Sequence, residues 1–150
     1  MIIYLGVEDF ILRRTARHDS GETPFELVPY GFGFLTWVIE RSDCRWLSRL
    51  NPDGMDGRIR AAFRVALGMP ERSGELDLLF EMINGTYWEA AKVEGIDLDS
   101  DFCWITRNVD RQSLEVLERR QMTDRLIICS PDVGAEEFAK IQLRLEAYAS

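Results

Sequence analysis

Histidine is almost missing from this chain, with only His18 among 150 residues. Cysteine is scarce too: Cys44, Cys103 and Cys129 stand at spacings that match no zinc pattern, so a zinc site has too few ligands. Each cysteine lies in or beside a short apolar run ("DCRWLS", "FCWIT", "LIICS"), which predicts buried free thiols acting as small apolar residues. With no histidine nearby in sequence to activate one, neither a nucleophilic nor a redox cysteine is expected. Basic charge is in deficit, 18 residues against 26 acidic, for a net charge of -8. A nucleic-acid partner normally needs a basic face, so that class is excluded. No apolar run approaches the ~20 residues of a membrane span, so no membrane partner is expected. No basic segment leads into a long apolar core at the N-terminus, and a cytoplasmic location is the expectation. Internal repeats, low-complexity tracts and linkers are lacking as well.

What remains is a chain that is 46% apolar and 11% aromatic, with enough length to bury a core without staples. One domain, 1–150, is expected. "IIYL", "CRWL", "FCWI" and "LIIC" are short continuous apolar runs, as strands buried on both faces should be. They predict strands over 2–7, 43–48, 102–106 and 126–130. Between them lie helical patterns near 31–41, 57–67, 110–120 and 134–148. Phe34, Leu35, Val38 and Ile39 form one stripe; Phe138, Ile141, Leu145 and Tyr148 form another. Gly68 reads as the end of the second helix. Residues 13–29 are polar and broken by Gly21, Pro24 and Pro29, so they read as a long connection carrying His18 at the surface. "ELDLLFEMI" fits a helix or an irregular strand, and "TYWEAAKVEG" reads as a short helix from Thr86 to Gly95. Trp37, Trp46, Trp88 and Trp104 lie in apolar runs and are expected in the core.

Alternation of strand and helix predicts an α/β fold: three layers, α/β/α, around a central parallel sheet of the doubly wound, Rossmann type, with strand one central. In such sheets ligands bind beyond the carboxyl ends of the strands, where the topology switches direction. The residues to examine are therefore Gly6-Val7-Glu8-Asp9, Ser48-Arg49, Thr106-Arg107-Asn108 and Ser130-Pro131-Asp132.

Read in order, "IIYLGVEDFIL", "WLS", "TYWEAAKVEGID" and "FCWITRN" resemble the motifs of the haloacid dehalogenase-like (HAD) superfamily, in a small bacterial branch with little or no cap. The resemblance covers nearly the whole chain and rests on the order of short motifs. It implies a phosphoryl-transfer site. An Asp at the end of strand one attacks phosphate and a second acts as general acid and base. A Ser or Thr and a Lys hold phosphoryl oxygens, and late carboxylates hold Mg²⁺.

The departures carry more information. Gly6 stands at the nucleophile position, Glu8 at that of the general acid, and Thr106 and Arg107 where the metal-binding pair belongs. Ser48 and Lys92, the phosphate-holding positions, are present. Without a nucleophile and most metal ligands, the family route should fail, and Mg²⁺ is not expected to bind as it does in the family. Three readings stay open. One is a catalytically inactive binding or regulatory module, whose pocket of Ser48, Lys92 and Arg107 takes a small anion or phosphorylated ligand. A second is an active hydrolase with rearranged chemistry through Glu8 or Asp9, including a register in which Asp9 is the nucleophile and Ile11 its partner position. The third is an interaction protein with a filled pocket, whose protein partner the sequence does not name. The acidic loops Asp97, Asp99, Asp101 and Asn51, Asp53, Asp56 are short for calcium sites and read as solvated turns. Lys92 also fits a plain role at a helix end, and Ser48 one in a turn.

Overall fold

The computed structural model describes residues 1–8, 10–14, 25–68, 74–130 and 133–150, with the side chain of Glu75 left aside. Five strands form a parallel sheet: β1 (Ile2–Leu5), β4 (Asp43–Trp46), β5 (Ile83–Asn84), β6 (Phe102–Thr106) and β7 (Leu126–Ile128). Their order is β5-β4-β1-β6-β7, so β1 is central, as expected. The register pairs Leu5 with both Trp46 and Ile105, which carries Gly6 to the level of Leu47 and Thr106. Single backbone bonds extend the ladders past the strand ends. Leu47 N–H donates to Leu5, Gly6 N–H to Ile105 and Cys129 N–H to Thr106. The carboxyl ends of four strands thus finish flush.

Helices cover both faces. α1 (Gly31–Ile39), α2 (Gly57–Leu67), α3 (Gly74–Glu81) and α5 (Ala135–Ala149) pack on the face that presents Ile3, Leu5, Cys44, Trp46, Cys103 and Ile105. The Phe34, Leu35, Val38, Ile39 stripe is buried there, as are Phe138, Ile141 and Leu145 of α5. Phe34 stacks on Phe138 with ring centroids 5.1 Å apart, and Trp46, Phe63 and Phe80 form a second aromatic group. On the opposite face, Tyr4, Phe102 and Trp104 meet α4 (Arg111–Arg119) and a 3₁₀ turn, Lys92–Gly95. The fold is a doubly wound, three-layer α/β/α domain. Gly68 closes α2 in the left-handed region at φ 65°, as expected of a C-cap glycine. Among the described residues no helix is long and apolar enough to cross a membrane.

Two readings of the sequence are corrected. The connection over 13–29 contains a hairpin, β2 (Leu12–Arg14) antiparallel to β3 (Phe25–Leu27), packed on α2. Strands of three residues are too short to show an alternating pattern, and the stretch 15–24, with His18, lies outside the described residues. The expected helix over Thr86–Gly95 is reduced to its last turn, Lys92–Gly95. Tertiary bonds hold its start out of a helix: the Thr86 hydroxyl donates to the Trp46 carbonyl at 2.6 Å, and Trp88 N–H to that of Pro52. A Cβ on Gly85 would stand 2.1 Å from the Gly54 carbonyl oxygen, so only glycine admits this approach. "ELDLLFEMI" resolves into α3 followed by the two-residue edge strand β5.

Candidate functional site

After β1 the chain makes one tight turn, with Phe10, Ile11 and Leu12 all donating N–H to the Val7 carbonyl. This turn leaves Glu8 at the strand tips, beside the end of β4. There the Ser48 hydroxyl donates to Glu8 Oε2 at 2.8 Å and accepts from Leu50 N–H at 3.1 Å. Ser48 N–H donates to Asn51 Oδ1, Asn51 Nδ2 to the Trp46 carbonyl, and the Trp88 indole to the Ser48 carbonyl. Ser48 is therefore both a turn residue and the fixed partner of Glu8. Its single O–H is already given away, which leaves none for a ligand.

Lys92 opens its 3₁₀ turn rather than closing a helix, and only 5% of it is exposed. Among the described residues its ammonium makes one long hydrogen bond, 3.4 Å to the Asn108 carbonyl. An ammonium has three donors, so this buried cation is under-used. Burial lowers its pKa from the ordinary lysine value, Glu8 works against that, Arg49 adds to it, and Asp110 opposes it. Asp110 holds the backbone in place. It caps α4 by accepting from Ser113 N–H at 2.9 Å, accepts the Ser113 hydroxyl, and takes Lys92 N–H at 3.4 Å. Val93 N–H donates in turn to Ser113 Oγ.

Between these elements lies a cavity of about 110 Å³ lined by Glu8, Arg14, Arg49, Lys92 and Asn108. At ~30 Å³ per water molecule it has room for roughly three or four waters, or one tetrahedral oxyanion. Arg14 and Arg49 are exposed and Lys92 is buried, so the lining combines two screened cations with one desolvated cation. Glu8 is the one carboxylate among the described lining residues. Its Oε1 is enclosed and has no hydrogen-bond partner among the described residues.

Of the residues singled out from sequence, Glu8 and Lys92 line the cavity, while Ser48 is bonded to Glu8 and lies outside the lining. Arg107 is not in the lining; its charge is felt at Cys129, toward β7. Gly6 and Thr106 are adjacent. A Cβ on Gly6 would lie 2.8 Å from Thr106 Oγ1, so the space of a nucleophilic side chain is occupied by the threonine hydroxyl. That hydroxyl donates to the Asn108 carbonyl at 2.9 Å and accepts Asn108 N–H at 3.3 Å. Asp9 and the tip residues Pro131 and Asp132 lie outside the described residues.

Sequence reasoning placed Arg49 and Asn108 among the strand-tip residues without giving them a role, and it did not single out Arg14. Arg49 and Asn108 follow Ser48 and Thr106 at the strand tips, a usable signal. Arg14 carried none, because its position depends on the hairpin, where its guanidinium lies over the Phe25 ring at 5.8 Å. The acidic loops are engaged as turns and ion pairs: Asp99 with Arg120, Asp101 with Arg125, Asp56 with Arg60. Asp97 and Asp53 accept from the backbone two residues on. Cys44, Cys103 and Cys129 are all buried, and burial pushes each thiol up to about 12. Among the described lining residues one carboxylate stands with three cations, a donor set that does not fit a divalent metal, which needs several oxygen ligands. Compared with protein-family models and with curated proteins, the chain matches none.

Proposed function

We propose that this chain is a non-catalytic, HAD-like binding domain whose strand-tip cavity receives a small anion or a phosphorylated ligand, and that it serves as a binding or regulatory module. The observation that supports this reading is the buried, under-bonded Lys92 ammonium, which faces the same cavity as Arg14 and Arg49. An oxyanion placed there would give Lys92 a charge-assisted partner, the strong kind of hydrogen bond. The two arginines are open to water and add less. Affinity on the order of millimolar follows, about 4 kcal/mol. The family chemistry has no place to start, since a side chain at Gly6 meets Thr106. Mg²⁺ is no part of this reading.

A hydrolase acting through Glu8 is the second reading, favoured by the unpaired Oε1 in a cationic setting. An aryl phosphatase assay with and without Mg²⁺ separates the two. The binding reading expects no turnover above background, together with phosphate binding that is lost in Lys92→Met. Metal-dependent turnover abolished by Glu8→Gln would establish the hydrolase instead.

A further inference from the structure

Three cations alone would make the cavity prefer the most highly charged small anion. Glu8 changes that expectation. Its carboxylate stands in the same lining, with Oε2 held by Ser48 at 2.8 Å and Oε1 without a donor among the described residues. The terminal torsion of a glutamate is broad and roughly two-fold. A two-fold turn exchanges its equivalent oxygens, so one always keeps the Ser48 hydroxyl and the other stays without a donor, in a carboxylate that lines the cavity. A bare anion oxygen facing that carboxylate meets charge repulsion and leaves the acceptor unpaired, which is the expensive state of a buried polar atom. An anion oxygen that carries hydrogen meets an acceptor instead.

We infer that the cavity selects a protonated phosphate group, the monoanion of inorganic phosphate or of a phosphate monoester, through an O–H···O bond to Glu8, with Lys92 taking an unprotonated oxygen. This rests on the anion-binding reading above and specifies its ligand. The cavity is sized for the phosphate group itself, so the organic part of a monoester would lie toward the exposed Arg14 and Arg49. No covalent step is involved.

Sulfate, perchlorate and phosphate share a tetrahedral shape, and they separate charge from protonation. At slightly acid pH sulfate is a bare dianion, perchlorate a bare monoanion and phosphate a monoanion with O–H. The experiment is a nuclear magnetic resonance titration of the intact chain with each ion and with methyl phosphate, following the Leu50 amide that donates to Ser48 Oγ. The same titrations are run on Glu8→Gln, which keeps an oxygen for Ser48 and adds an N–H that bonds a bare oxygen. Phosphate is expected to bind roughly tenfold more tightly than sulfate or perchlorate, equivalent to about 1.4 kcal/mol. That preference is expected to collapse in Glu8→Gln. Methyl phosphate binding as well as phosphate would assign the site to monoesters; binding of phosphate alone would assign it to the free ion. Equal binding of all the anions by the wild type, or sulfate preferred, overturns the selection by Glu8 and leaves the anion site standing. A preference that survives Glu8→Gln also overturns it. Binding of none of the ions overturns the anion-site reading itself.

Discussion

Gly6→Ala tests the claim that the space beside Gly6 is filled by Thr106 rather than vacant. The added Cβ would lie 2.8 Å from Thr106 Oγ1 and 3.3 Å from Thr106 Cα and Cβ. Two responses are open. Thr106 can turn, but its β-branched side chain is stiff, and turning breaks its two bonds to Asn108, each worth about 0.5–1.5 kcal/mol. Alternatively β1 and β6 can part, stretching the 2.8 Å bond from Gly6 N–H to Ile105. Either response gives a loss of about 1–3 kcal/mol, the usual range for overpacking a tight core. For a domain of this size that is a fall of roughly 2–4 °C in Tm per kcal/mol. The assay is urea unfolding of Gly6→Ala, Thr106→Ala and the double variant at constant m-value. Thr106→Ala alone should cost about 1 kcal/mol or somewhat more, because Asn108 loses its partner. In the double variant the new methyl takes the room left by Oγ1, so its loss should fall short of the sum by at least about 0.5 kcal/mol. Strict additivity, or a Gly6→Ala variant as stable as the parent, would refute the reasoning. By the same contact, Gly6→Asp should lose more stability than Gly6→Ala and gain no phosphatase activity.

Three further outcomes follow from buried groups. Because burial lowers the Lys92 pKa, the unfolded chain holds the extra proton between the lowered and the ordinary value. Stability should therefore rise as pH rises through that window, with the penalty fully present below it. Lys92→Met should flatten that rise and, without ligand, stabilise the protein at neutral pH by on the order of 1 kcal/mol, as apolar replacements of buried charge often do; an unchanged pH slope in chemical unfolding would count against it. The three thiols, pushed up to about 12, should resist an aromatic disulfide reagent at mildly alkaline pH and titrate only after denaturation; prompt colour from the native protein would contradict their burial. Asp110→Ala removes the α4 cap and should cost about 0.5–2 kcal/mol by thermal or urea unfolding. The same change frees the Lys92 segment, so phosphate binding should weaken with it; unchanged binding would show that the cap does not position Lys92.

Sequence by itself determined the layers of this protein. Four apolar runs, two of them centred on Ile3 and Cys103, are continuous rather than alternating, as strands covered on both sides should be. The stripes through Phe34 and Phe138 supply the covering helices. These are short-range signals, and four of the five sheet strands and the buried thiols follow from them. The strand tips were legible as the place to look, and Glu8 and Lys92 as candidates that line one cavity there, with Ser48 behind Glu8.

Tertiary structure alone decided what those members do. Ser48 and Glu8 are 40 positions apart, and only the β1–β4 register makes the hydroxyl a partner of the carboxylate instead of a ligand donor. Thr106 fills the space beside Gly6 only because β6 lies beside β1 with Gly6 at its level. Arg14 enters the cavity through a hairpin too short to leave a periodic trace, while Arg107, at an equally suggestive position, points its influence toward β7. Thr86 left the expected helix because one hydroxyl bond to the Trp46 carbonyl outweighed local propensity. Secondary structure is set by neighbours along the chain; convergence of side chains from separate strands is set by pairing and packing, which no local pattern encodes.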